Sequence, residues 1–217
     1  MFLKTSVRGD PNIGLYGFAT DKYAFFGANP EKKVKEILGV KIVTSTTMHT
    51  DFAGMFAAGN SSGIVVPGIL EEYELPRLRR HFRDVLVLET NYTALGNLIL
   101  MNDAGIVLSP LLRKHKAAVE RFFGLNAETA TIAGINLVGS VAIATNKGCL
   151  AHPKIREKEA AIVEKTLGVQ LNVGTVNFGS RFVKAGVIAN SSGFLASKST
   201  SGSELGRINE ALGFLKA

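Results

Sequence analysis

The chain has 217 residues, 46% of them hydrophobic, with 25 Lys and Arg against 18 Asp and Glu, for a formal net charge of +7. This excludes a disordered chain and allows one large domain or two small ones. A single cysteine excludes an internal disulfide, and no apolar run approaches the ~20 residues that span a bilayer. No basic-then-apolar signal segment opens the chain, so a soluble cytoplasmic protein is expected. The positive charge is compatible equally with solubility and with a polyanionic partner such as nucleic acid.

The first apolar run, Phe2–Val7, has no partner nearby. A ten-residue window of a glycine, an apolar run, a polar pair and a turn residue then begins at Gly14. The same form returns at Gly54, Gly96, Gly139 and Lys184, which stands where the others have glycine. Each window continues into a second apolar run: Ala24–Phe26, Ile64–Val66, Ile106–Leu108, Cys149–Ala151 and Phe194–Ala196. Two short apolar runs around a polar turn closed by glycine predict a β-hairpin, with the glycine supplying positive φ. Tyr23 replaces that glycine in the first copy, so a different turn is expected there.

A single-faced helix is predicted after each hairpin. Its inner face is Leu75, Leu78 and Phe82 in the second copy, and His115, Val119 and Phe122 in the third. It is Ala160, Val163 and Leu167 in the fourth, and Leu205, Ile208 and Leu212 in the fifth. Gly39, Gly124, Gly168 and Gly213 follow four of the helices as C-terminal stops. A third apolar run closes four units: Lys41–Val43, Val85–Leu88, Ala130–Ile132 and Gln170–Val173.

The unit is therefore β-β-α-β, repeated over 14–53, 54–95, 96–138 and 139–183, and the fifth, 184–217, lacks its third strand. Residues 1–13 supply one, so a single α/β domain of five units around an axis is expected, closed by the N-terminal strand.

Cys149 and His152 are the first candidates for chemistry. The repeat aligns Cys149 with Ala24, Ile64, Ile106 and Phe194, which is a core strand position. The two side chains would point to opposite sheet faces, out of hydrogen-bond reach. Gly59-Asn-Ser-Ser-Gly63 matches a serine-hydrolase elbow, but that motif needs a helix next, and a strand is predicted. No phosphate-binding loop pattern occurs. Basic residues cluster on the predicted helices, as in Lys32, Lys33 and Lys35 or Arg77, Arg79 and Arg80, and read first as solvated faces. Weak, salt-dependent RNA attraction is the functional alternative.

Longer motifs carry a resemblance. They are Pro11-Asn-Ile-Gly14, Thr93-Ala-Leu-Gly-Asn-Leu98, Val138-Gly-Ser140, Asn146-Lys-Gly-Cys-Leu-Ala-His-Pro153, Gly174-Thr-Val-Asn177 and Ser203-Glu-Leu205. In this order and spacing, over essentially the whole chain, the sequence resembles the translation initiation factor 6 family in its archaeal form. The resemblance implies a pentein fold, with five pseudo-symmetric α/β units around a central axis. It implies a monomer without cofactor that binds the large (50S) ribosomal subunit, at a ribosomal protein and rRNA near the sarcin–ricin loop. There it would keep the small (30S) subunit from joining, by steric exclusion rather than catalysis. By position, the implied ribosome-facing residues are Leu15, Met55, Asn97, Ser140, Val141 and Phe182. Lys184, with Gly186 two residues on, predicts a shifted loop at Phe182. The alternative is a pentein-fold enzyme acting on guanidino substrates through a cysteine nucleophile.

Overall fold

The strand that opens the chain, β1 (Phe2–Thr5), pairs with the last strand formed, in the computed structural model of the protein. The first unit follows it as β2 (Gly17–Ala19), β3 (Tyr23–Phe26), α1 (Lys32–Leu38) and β4 (Lys41–Thr44). The second is α2 (Ala53–Phe56), β5 (Ala58–Gly59), β6 (Ile64–Pro67), α3 (Glu74–His81) and β7 (Val85–Leu88). The third is α4 (Leu95–Leu98), β8 (Ile99–Met101), β9 (Ile106–Leu108), a 3-10 stretch Pro110–His115, α5 (Lys116–Phe123) and β10 (Ala127–Thr129). The fourth is β11 (Ala142–Ala144), β12 (Cys149–Ala151), α6 (Glu157–Leu167) and β13 (Leu171–Val173). The fifth is α7 (Val183–Gly186), β14 (Val187–Ala189), β15 (Phe194–Ser197) and α8 (Gly202–Ala211).

Residues 1–215 are described, and among them fifteen strands form five three-stranded sheets. Each sheet is an antiparallel hairpin whose second strand takes a parallel third strand. In the last unit that third strand is β1, with Phe2 opposite Phe194 and their rings stacked at 5.2 Å. This is the closed five-unit pentein arrangement. Among the described residues no helix is long and apolar enough to cross a membrane.

The core explains why the ring must close. Five apolar clusters lie at the seams between units rather than inside them. Phe25 of the first unit packs with Ile64 and Leu78 of the second. Ala24 and Leu38 of the first pack with Ile188 and Leu195 of the fifth and with Ile13 of the N-terminal segment that completes it. No unit buries its apolar face alone, so each depends on its neighbours.

The hairpin glycines serve a different purpose from the one expected. Positive φ values occur at Gly39, Gly124, Gly168 and Gly213 past the helices, as expected, but not at Gly63, Gly105, Gly148 or Gly193. At the hairpins, a Cβ would run into backbone carbonyls: Asp84 at Gly63, Thr166 at Gly105, Ala211 at Gly148 and Ile37 at Gly193. Close approach, not turn geometry, selects glycine there. The first hairpin therefore turns like the rest despite Tyr23. Thr20 N donates to Tyr23 O at 2.8 Å, as Asn60 N does to Gly63 O at 3.1 Å.

Two further expectations are corrected. The third strand of the third unit is β10, Ala127–Thr129, not Ala130–Ile132; Ile132 instead is buried and anchors a tight turn through a bridge to Ile135. The inner face of α5 carries Val119 and Phe123, joined by Leu112 of the 3-10 stretch, whereas Phe122 and His115 are only half-buried. The chain enters that helix through a 3-10 stretch with about three residues per turn, which rotates the apolar face.

Candidate functional site

Topology puts two different surfaces at the two ends of the axis. One end carries the window starts and the turns that precede them; the other carries the hairpin turns. At the hairpin end, Asn146 Nδ2 donates to Asp21 Oδ2 at 2.8 Å and to Asp103 Oδ2 at 2.7 Å. Ser61 bonds Asp103, and Ser191 bonds Asp21, through both backbone N–H and hydroxyl. Burial alone would raise the Asp21 carboxyl, but the bonds from Ser191 and Asn146 outweigh it and hold it below its usual value. This end is a polar cap satisfied by its own members.

The window-start end is built on close backbone approach. A Cβ at Gly14 would fall on the Lys184 carbonyl, at Gly54 on Gly14 O, at Gly96 on Gly54 O, and at Gly139 on Gly96 O. Position 184 is thus the true fifth member of the ring. Its backbone N donates to Ser140 O at 3.2 Å. Its side chain spans the axis, and Nζ donates to Gly54 O at 2.8 Å and Gly96 O at 2.6 Å. Burial pulls this amine down from 10.5 to about 7.

Beside that brace lies a depression of about 330 Å³ whose walls include Leu15, Asn97, Leu137, Ser140, Phe182 and Lys184. Four of the residues implied by the resemblance, Leu15, Asn97, Ser140 and Phe182, therefore meet on one concave surface. The lysine does not displace Phe182 from it, contrary to the shifted loop expected. Met55 is half-buried in α2 and does not line the depression, although its carbonyl abuts Gly96. Val141 is excluded from the surface, at 0% exposure. Its N–H bonds Leu137 O at 3.3 Å as the chain turns inward, and its side chain joins the apolar cluster with Val138 and Ala151.

Sequence reasoning missed two apolar side chains on this end. Leu137 is 38% exposed and Phe178 81%. Phe178 is at the tip of the loop that carries Ser180 to the depression, with φ of +59° between Asn177 at +52° and Gly179 at +100°. A bulky residue there is strained, so something must hold it. The Glu204 carboxylate does so, accepting from Phe178 N at 3.2 Å and Gly179 N at 2.8 Å.

The same clamp recurs elsewhere. Glu74 accepts from Met48 N and His49 N at 3.0 and 3.1 Å, and Glu159 from Ala133 N and Gly134 N at 2.8 and 2.9 Å. All three turns have positive φ. Burial would raise Glu159 and Glu204, but the bonds they accept outweigh it and lower both carboxyls. The signal was present in sequence: a glutamate recurs early in three helices, on the face that should be apolar.

A sequence profile described as the eIF-6 family matches residues 2–211. A protein named translation initiation factor 6 from Methanoculleus marisnigri is 37% identical over 215 residues, covering 97% of each chain. Proteins of the same name match from Saccharolobus islandicus, at 36% over 218 residues, and from Pyrococcus abyssi, at 33% over 219. They cover 97% and 96% of this chain, and 98% and 96% of their own.

The chain belongs to the eIF-6 family. Its place is among translation initiation factors rather than enzymes, and the remaining residues agree with that. Cys149 is fully buried, and burial pushes its thiol up to about 12, which keeps it a protonated core residue. His152 is buried just past the same strand, with Nδ1 accepting from Lys154 N at 3.0 Å. In this eIF-6 chain Lys32, Lys33, Lys35, Arg77, Arg79 and Arg80 lie exposed on outer helices.

Proposed function

We propose that this chain docks on the large (50S) ribosomal subunit through its window-start end and thereby keeps the small (30S) subunit from joining. The observation that carries this reading is the meeting of Leu15, Asn97, Ser140 and Phe182 in one depression, with exposed aromatic and aliphatic side chains beside it. Such groups suit the centre of an interface, where apolar anchors contribute most. The proposed contacts are a ribosomal protein and rRNA near the sarcin–ricin loop, and the protein acts there in the cytoplasm as a monomer, without a cofactor. No bond is made or broken; occupying an intersubunit surface suffices. The guanidino-hydrolase alternative lacks support, because its required thiolate would have to come from Cys149, which is sealed in the core.

Purified protein mixed with separated subunits and run on a sucrose gradient tests the reading. It should travel with large subunits and reduce the joined ribosome peak. Undiminished joining, with the protein left at the top of the gradient, would overturn it.

A further inference from the structure

The depression at the axis is more specific than an apolar patch. A lysine, Lys184, is among the residues that line it, and an ammonium has three N–H donors. Two of them are committed, to Gly54 O and Gly96 O. The third has no protein acceptor among the hydrogen bonds of the described residues, and Lys184 lines the depression. Four more polar side chains share that wall, the amides of Asn12 and Asn97 and the hydroxyls of Ser140 and Ser180, and the Asn12 amide already donates to Asp10 Oδ1 at 2.9 Å. No acidic side chain lines it among the described residues. Leu15, Leu137 and Phe182 supply apolar wall.

We propose that this depression is a receptor for one carboxylate carried on a short apolar stem of a partner protein. Lys184, Asn97 and Ser140 donate to the carboxylate oxygens, and Leu15, Leu137 and Phe182 cover the stem. This rests on the reading that the window-start end is a docking face, and adds the chemistry of the group it takes. A charge-assisted bond to a carboxylate is stronger than a neutral one, and it gives the buried amine the counter-charge its surroundings lack. Burial pulls the free amine down to about 7; an anion beside it favours the ammonium and restores the third donor. A nucleic-acid phosphate fits less well. It arrives with charged neighbours on both sides and calls for several cations, whereas this site offers one, framed by apolar side chains.

The test is an NMR titration of the ¹⁵N-labelled full chain with butyrate, butyramide and butyl phosphate. Butyrate should shift the Asn97 side-chain amide and the Ser140 and Ala185 backbone amides saturably, with butyramide at least ~10-fold weaker. Lys184→Met should weaken butyrate by ~10-fold or more, and Asn97→Ala and Ser140→Ala by ~3- to 10-fold each. If Lys184→Met does not fold, the latter two variants decide. Short peptides ending in a free apolar C-terminus, against the same peptides amidated and carrying an internal glutamate, separate a terminal from a side-chain carboxylate. No saturable shift, equal binding of butyramide, or tighter binding of butyl phosphate would overturn the proposal. Co-sedimentation with large subunits is scored separately. If the chain travels with them but butyrate fails here, the docking reading stands and the carboxylate receptor falls; if butyrate binds here but the chain does not travel with subunits, the receptor stands without the ribosome.

Discussion

Lys184 Nζ lies 2.6 Å from the carbonyl oxygen of Gly96, a residue of the third unit, although Lys184 belongs to the fifth. Its other acceptor, Gly54, belongs to the second. The side chain therefore ties together units that do not border its own, and does so where the other four copies have no side chain at all.

This brace makes stability depend on pH. The folded chain holds Lys184 at about 7, against an ordinary 10.5. Between those values the unfolded state binds more protons, so stability rises with pH across that window. Below about 7 the amine is charged in both states and the cost of burying it is felt in full. Relative to Lys184→Met, the native chain should gain about 1–2 kcal/mol from pH 7 to 9, after allowance for solvent near its stem. Urea midpoints at the two pH values measure this; a constant difference would refute it.

The glutamate clamps respond in the opposite pH range. Glu159 and Glu204 have lowered carboxyl values, so their contribution is complete above the ordinary value of 4.5 and lost as pH falls through the folded ones. Glu159→Gln or Glu204→Gln should cost about 1–3 kcal/mol at pH 7. The difference from the native chain should shrink at pH 3.5, as read by thermal unfolding. In Glu204→Gln, amide exchange should quicken at Phe178 and Gly179.

Two glycine substitutions should differ in sign. Gly96→Ala drives a Cβ onto the Gly54 carbonyl at the axis and should cost about 3 kcal/mol or prevent folding. Gly206→Ala, within α8 and with nothing within 4 Å of its added Cβ, should stabilise by about 0.5–1 kcal/mol. Equal effects in denaturant melts would show that the axial contact is not close.

Phe178 separates stability from binding. Its side chain is 81% exposed at a strained φ of +59°. Phe178→Gly should stabilise by about 1 kcal/mol by relieving that strain. The same change, like Phe182→Ala, should weaken co-sedimentation with large subunits by about tenfold. A variant that melts higher and sediments as before would remove Phe178 from the interface.

The sequence carried the architecture because repetition is visible as apolar runs that recur in the same order in windows beginning at residues 14, 54, 96, 139 and 184. The pairing of β1 with β15 followed from counting strands. Positions decided by the neighbouring unit were less legible. Gly148 looked like a turn glycine, yet its reason is the Ala211 carbonyl of the next unit. Val141 looked like a surface neighbour of Ser140, but the direction of a side chain at a turn into the core is not set by spacing. The depression itself combined one residue that broke the pattern, Lys184, with four that the resemblance implied, Leu15, Asn97, Ser140 and Phe182, and with Leu137, which the structure added. A broken repeat marks where to look without giving the direction a side chain takes.

The pairing of β1 with β15 also orders events during synthesis. Phe2–Thr5 leaves the ribosome well ahead of Phe194–Ser197, the strand it must pair with. At roughly 5–20 residues per second, the first strand waits on the order of ten to forty seconds for its partner. The seam that buries Ile13 and Leu38 against Ile188 and Leu195 stays open throughout that interval. A growing chain thus leaves an unpaired strand and one of its five apolar seams exposed until the β14–β15 hairpin emerges.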